Sequence, residues 1–349
     1  MQNVGEVYGQ AITLMNQGKF ERAAEKLLKL VNVKEISSAC YYQLATISNM
    51  TGDPETAYNL YYKALEGKPD LTNQIFNEQH SSFNYVYNGK KEEKERVNCP
   101  FCKERATPQW CYSLIEAKNY NEFFNPIRMW MYCKPCHHMF AQHFPEKLFL
   151  HNDNPRKANP VFFTYYSQVL GNIRSKGFAT GMTLFEVGVG ASECLLAARE
   201  IGYDTFGIDV IKRHVEDAKT LYGLNAEAAD FNEFKTDKQW DVVVMGDVLE
   251  HVDDPEKAIE KAETLIKDEG CVWISTPSFE SAFSAVVGHN DVMRRQQYHL
   301  NYFSRESLYA LLQRNGLKPV DYHISGHYNG SMEVVAVKKN RKIGSQIHE

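Results

Sequence analysis

Apolar and polar positions keep a regular rhythm through the second half of the chain. From Thr183 onward, short apolar runs alternate with stretches of helical period. The runs at 182–187, 204–209, 226–229, 241–245 and 271–275 predict strands. Helices are predicted to start near Ser192, Ile211 and Pro255, the third with Asp254 as its cap and Pro255 in its first position. A last helix, 305–315, is capped by Ser304 and stopped by Gly316. Two strand-like runs, 317–324 and 332–337, follow it, joined by a glycine-containing turn. This alternation predicts an α/β domain over 160–340: a parallel sheet covered on both faces and ending in a hairpin.

The first segment, 1–90, is helical in pattern and repeats itself. Gly18-Lys19-Phe20 with Ala23 and Ala24 returns 34 residues later as Gly52-Asp53-Pro54 with Ala57 and Tyr58. The same offset takes Tyr8 to Tyr42 and Ala11 to Ala45. A 34-residue helix–turn–helix period resembles the tetratricopeptide repeat, with small residues where paired helices approach closely. Two copies bury little core, so the segment is expected to pack on a further helix at 71–87 or on the rest of the chain. Such repeats also offer a face that a protein partner could use; a plain helical bundle is the bland alternative.

Composition narrows the class. The chain has 43% hydrophobic and 24% charged residues, ordinary for a globular protein. A net charge of −5 with no block of Lys and Arg argues against a nucleic-acid binder. No run reaches the roughly 18–20 apolar residues of a membrane helix, and the N-terminus lacks the layout of a secretion signal. A cytoplasmic location is therefore expected, where thiols stay reduced and the eight cysteines need an explanation other than disulfides.

Four of them supply it. Cys99-Pro-Phe-Cys102 and Cys133-Lys-Pro-Cys136 each place two thiolates on a tight turn, and together they complete a tetrahedral zinc site. A redox reading would explain one pair but not both. Cys111, His137 and His138 are substitutes close by, yet the paired cysteines are the simpler set. The segment 97–150 reads as a small module held by structural Zn2+, since four thiolates leave no position open for catalysis.

The loop after the first strand of the α/β domain reads Phe185-Glu-Val-Gly-Val-Gly-Ala191. Gly188 and Gly190 let the backbone turn tightly against a ligand. A dinucleotide fold is the rival, but its third glycine would fall on Glu193, and Glu186 puts an anion where a pyrophosphate must bind. An acidic loop suits a ligand carrying an ammonium and a sulfonium. Asp209 ends the second strand and can accept from ribose hydroxyls. Asp230 and Phe231 follow the third, offering a polar contact and an aromatic wall for adenine. Gly246-Asp-Val-Leu-Glu-His251 follows the fourth.

These pieces, with Gly207-Ile-Asp209, Ile274-Ser-Thr-Pro277 and His299-x-x-Tyr302-Phe-Ser, resemble the class I S-adenosylmethionine-dependent methyltransferases from about Gly181 to Lys338. The resemblance implies a Rossmann-like seven-stranded sheet whose final strand is antiparallel. It implies S-adenosylmethionine as cofactor, with Glu186, Gly188 and Gly190 on its methionine part, Asp209 on the ribose, Asp230 and Phe231 on the adenine, and Asp247 close by. The cysteine pairs, His138-Met-Phe-Ala141 and Phe144-Pro-Glu146 ahead of the sheet resemble bacterial sugar methyltransferases, which implies a sugar, nucleotide-sugar or glycan acceptor. The chain departs from that group in its helical repeats and in the stretch between the cysteine pairs.

Methyl transfer is an in-line displacement, and a base is needed when the nucleophile is an alcohol or a carbon acid. His251 is the first candidate, because it follows the fourth strand and titrates near neutrality; a packing role at a helix start is the alternative. The long 278–302 connection has the character of a substrate loop. His299 and Tyr298 in it are expected at the acceptor pocket, either of them able to serve as the base; Arg294 and Arg295 could bind a phosphate of a nucleotide-sugar, although a surface pair with no ligand is the more frequent outcome. Methylation of a protein recruited by the repeats and a scaffold that keeps the cofactor fold without turnover are the competing readings.

Overall fold

The computed structural model describes residues 3–117, 119–146 and 156–340. The first part consists of two helix pairs, α1 (Val4–Asn16) with α2 (Phe20–Leu28) and α3 (Ser37–Met50) with α4 (Pro54–Gly67), followed by a single turn, α5 (Thr72–Ile75). The repeat's small residues sit where the helices touch: Ala11, Ala45, Ala23 and Ala57 are all fully buried. The helix expected over 71–87 is not there. Only α5 forms, because Thr72 Oγ1 donates to the carbonyls of Phe83 and Tyr85 and folds the segment back on itself.

A compact β module comes next. Its sheet contains β2 (Thr107–Ser113), β3 (Ile127–Cys133) and β4 (His138–Ala141), while β1 (Lys94–Glu95) pairs separately with β5 (His143–Phe144). Helices α3 and α4 pack on this sheet. Tyr42 Oη donates to Ser113 Oγ at 2.7 Å, and Asn49 Oδ1 accepts from the Cys111 amide at 2.7 Å.

The second half starts with α6 (Pro160–Ser175) and runs through β6 (Thr183–Val187), α7 (Glu193–Ile201), β7 (Asp204–Asp209), α8 (Lys212–Tyr222), β8 (Ala226–Ala228), β9 (Trp240–Gly246), α9 (Pro255–Leu265) and β10 (Ile266–Pro277). After a long connection containing α10 (Ala282–Val287) and β11 (Asn301–Tyr302) come α11 (Arg305–Arg314), β12 (Leu317–Ile324) and β13 (Ser331–Lys338). The seven-stranded sheet has the order β12-β13-β10-β9-β6-β7-β8, with β13 antiparallel to both neighbours. Its winding reverses between β6 and β9, the place where ligands meet open α/β sheets. Aspartate or asparagine before proline starts three helices, with Asp53, Asn159 and Asp254 each accepting a backbone amide of the first turn.

The module expected at 97–150 is not closed by its own residues; positions 147–150 lie outside the described residues. Its fourth strand is β11, which pairs Asn301 with Phe140 and Tyr302 with Met139. The 278–302 connection is thus shared between the two sheets.

Candidate functional site

The carboxyl edge of the large sheet gathers carboxylates. Glu186 leaves β6 buried at 5% exposure, with its carboxyl group toward Cys194 and Leu195 at the start of α7. Burial pushes its pKa well above the usual range, and Oε2 has no partner. The N-terminus of α7, the natural seat of a pyrophosphate, is therefore already taken by a carboxyl group. The turn above it needs its glycines, with φ of 81° at Gly188 and 49° at Gly190, and Ser192 is also left-handed at 73°.

Asp209 ties this loop together. Its Oδ2 accepts from the Gly190 amide at 2.9 Å and lies 3.2 Å from His214 Nδ1, while Oδ1 accepts from the Ile211 amide at 2.8 Å. The carboxylate expected for the ribose is thus first an organiser of the turn, with spare acceptor capacity on Oδ1 alone. Gly207 matters for the same reason, since a Cβ there would stand 2.4 Å from Val189. Asp230 is exposed and caps its own turn through the Asn232 amide. Phe231 is 6% exposed, with Lys261 Nζ 5.2 Å from its ring centre, so it forms a floor more than an open wall.

Asp247 follows β9 in a left-handed conformation, φ 53°, a strained choice for a non-glycine residue. Its Oδ1 accepts from Ser275 Oγ at 3.1 Å, and burial raises its pKa to about 7, with Glu333 adding to the rise. Glu250, 1% exposed, accepts from Thr276 Oγ1 at 2.9 Å and is pushed well up by burial and by Asp247. Among the described residues none of Glu186, Glu193, Asp247, Glu250 or Glu333 has a cationic partner. So many buried, unpaired carboxylates make a site for a cationic ligand.

The chain is similar to known methyltransferases. A family model described as a methyltransferase domain matches residues 162–322. A ubiquinone biosynthesis O-methyltransferase of Bordetella avium is 26% identical over 199 residues, covering 53% of this chain and 79% of that protein. One of Colwellia psychrerythraea is 27% identical over 194 residues, covering 52% and 78%. The solved magnesium protoporphyrin IX methyltransferase of Synechocystis with bound S-adenosylhomocysteine superposes with a TM-score of 0.42 at 15% identity, over 53% of this chain and 90% of that one. The chain is an S-adenosylmethionine-dependent methyltransferase.

Beyond the end of β9 in this methyltransferase, His251 and His299 meet edge to face with ring centres 4.9 Å apart. Burial lowers the pKa of both, His299 the more, which is also under the charge of His251 and Arg128. His251 donates Nδ1–H to the Tyr298 carbonyl at 3.0 Å, leaving Nε2 as its free acceptor. Tyr298 is oriented differently from the two histidines. Its backbone serves the site, but its phenol turns to Asn121 and packs on Phe124. The arginines are corrected. Arg294 is buried over Trp110 and donates to Tyr112 and Ser284, and Arg295 pairs with Glu116 at 3.2 Å, so neither is free for a phosphate.

The methyltransferase holds the loop of His299 from the β module. Arg128 on β3 donates to the carbonyls of His299 and Gln297, Trp130 donates to the Arg294 carbonyl, and Arg96 donates to those of Leu300 and Asp253. Sequence reasoning missed these residues. It also missed Tyr166, whose phenol is pushed well up by burial and by the charges of Cys194, Glu186 and Asp247, and Glu333, which accepts from Tyr165 Oη at 2.9 Å. A carboxylate inside the apolar run 332–337 and an arginine inside 127–133 were the available signals, since charges are rarely buried in strands without a task.

In the module, the Sγ atoms of Cys99, Cys102, Cys133 and Cys136 all lie within 4.8 Å of one another, with Cys102 and Cys133 at 3.5 Å. Both turns share one geometry, the residue after the second cysteine being left-handed, φ 65° at Lys103 and 50° at His137. The substitutes are placed elsewhere. His137 faces Glu280 and Glu306, His138 is buried among Phe101, Phe140 and Phe303, and Cys111 belongs to the helix-facing core.

Proposed function

We propose that this enzyme transfers the methyl group to a hydroxyl oxygen of a small-molecule acceptor seated between the end of β9 and the 278–302 loop. The observation that carries the reading is the pair of uncharged imidazoles, His251 and His299, beside Glu250 at the edge where Asp247 and Glu186 await a cation. An oxygen nucleophile must lose its proton for the displacement, and this cluster is the place for that loss. The O-methyltransferase names of the curated relatives support oxygen as the atom. In this reading Glu186, Gly188 and Gly190 bind the methionine part, Asp209 Oδ1 the ribose, Asp230 and Phe231 border the adenine, and Asp247 faces the sulfonium.

A sugar or glycan remains the first acceptor class to examine, on the likeness of the cysteine segment to sugar methyltransferases. A nucleotide-sugar has less support, because the arginines that would read its phosphates are engaged within the chain. Protein methylation through the repeats has less support as well, since α3 and α4 spend their inner face on the β module. The four thiolates fit structural zinc, which would clamp the turn before β2 to the turn after β3.

Full-length enzyme given S-adenosylmethionine with a deuterated methyl group, and panels of sugars, nucleotide-sugars, phenols and peptides, tests this by mass spectrometry. A labelled ether on a small hydroxylated acceptor is expected; label on peptides alone would overturn the reading.

A further inference from the structure

Glu250, His251 and His299 bring one carboxylate oxygen and two imidazole nitrogens within 4.8 Å of one another. We propose that these three side chains hold a divalent transition-metal ion, which binds and acidifies the acceptor hydroxyl; this rests on the reading of an oxygen acceptor at this edge. Ligands about 2.0–2.2 Å from a common ion stand no more than about 4.4 Å apart, so a small inward movement completes the site.

Three features of the surroundings belong to a metal centre more than to a bare base. The first is the way each ligand is held by its other end. His251 gives Nδ1–H to the Tyr298 carbonyl, Glu250 Oε2 accepts from Thr276, and the backbone carbonyl of His299 is held by Arg128. Outer hydrogen bonds of this kind fix the tautomer and aim the remaining lone pair of a ligating histidine. The second is charge. Glu250 is 1% exposed and has no ion pair among the described residues, with the Asp247 carboxylate near it. The guanidinium of Arg128 opposes a cation from the His299 side, but it is spent on two backbone carbonyls. The third is the donor set. Two imidazoles and one carboxylate leave coordination positions open for an acceptor, unlike the closed set of four thiolates. Imidazole donors favour Zn2+, Mn2+ or Fe2+ over Mg2+, which prefers oxygen.

The ion changes what the histidines do. A coordinated hydroxyl loses its proton to solvent at neutral pH. Its oxygen then attacks the methyl carbon, and the C–S electron pair returns to sulfur to give S-adenosylhomocysteine. His251 and His299 serve as ligands, and neither stores the proton.

Mn2+ is the probe, because it has little affinity for the thiolate cluster. Full-length enzyme is washed with EDTA, desalted and titrated with MnCl2 while free Mn2+ is read by electron paramagnetic resonance. One Mn2+ per chain is expected, with affinity at least about tenfold lower in Glu250→Gln and His299→Ala and unchanged in His323→Ala. Pulsed resonance of the wild-type complex needs no variant, and should show nitrogen modulation from imidazole. Absence of stoichiometric Mn2+, absence of nitrogen modulation, or equal binding by all variants would overturn the proposal. Calorimetry with S-adenosylmethionine on the same samples separates the two claims. Intact cofactor binding without Mn2+ rejects the metal site and leaves the methyl transfer standing, whereas loss of both in the wild type rejects the reading beneath it.

Discussion

Arg128 of the β module donates through its Nη1 to the backbone carbonyl of His299, so a residue ahead of the methyltransferase domain fixes the position of a residue proposed for the reaction site. Its Nη2 takes the Gln297 carbonyl at 2.7 Å, which makes the contact a two-point fork. Lysine keeps the charge but cannot reproduce the fork. Arg128→Lys is expected to lower kcat roughly tenfold to a hundredfold through misplacement of His299, while affinity for S-adenosylmethionine by calorimetry stays unchanged. Wild-type kcat in this variant would show that the fork does not position the loop.

Asp209 accepts from the amides of Gly190 and Ile211 on the two sides of the cofactor loop. Hydrogen bonds to a charged acceptor contribute about 1.5–3 kcal/mol. Asp209→Asn should therefore weaken S-adenosylmethionine binding by about tenfold or more, read by calorimetry. An unaltered dissociation constant would remove Asp209 from the cofactor site.

The raised pKa of Asp247, about 7, gives a pH signature. A cationic cofactor favours the ionised carboxylate, so the proton held by the free enzyme must leave on binding. Affinity for S-adenosylmethionine should fall as pH drops below about 7 and level off above it. Asp247→Asn should flatten the profile between pH 5.5 and 8.5; an unchanged slope in that variant would assign the titration to another group.

The thiolate cluster joins the turn ahead of β2, at Cys99 and Cys102, to the β3–β4 turn, at Cys133 and Cys136, and β4 pairs with β11 just after His299. Elemental analysis of freshly purified enzyme should find zinc. Cys133→Ser should lose it, lower the unfolding midpoint by about 5–10 °C and cut turnover with the cofactor site still binding. A zinc-free wild type, or full turnover in Cys133→Ser, would contradict the structural role.

The large sheet could be read from the sequence because its central strands are buried on both faces and appear as unbroken apolar runs, such as Val242 to Met245. The run 204–209 was predicted at its observed bounds. The β module could not be read in the same way. Its strands carry Pro108, Arg128 and two tryptophans, and its fourth strand arrives from Asn301 and Tyr302, more than 150 residues later in the chain. Helix α6 was missed although Asn159-Pro160 announced its start, because Gly171 and a mixed aromatic pattern blur its face. For the site, the motifs found the residues but not their partners. Tyr298 looked catalytic by sequence; its carbonyl meets His251 and its phenol meets Asn121. Arg294 looked available and is buried on Trp110.

Titration calorimetry of the full chain with S-adenosylmethionine, with NAD, and with S-adenosylmethionine on Glu186→Gln tests the central claim most directly. The carboxylate-lined edge predicts binding of S-adenosylmethionine in the micromolar range, no heat with NAD, and weaker cofactor binding once Glu186 loses its charge. Binding of NAD, or full affinity in Glu186→Gln, would contradict a site built to receive a cation.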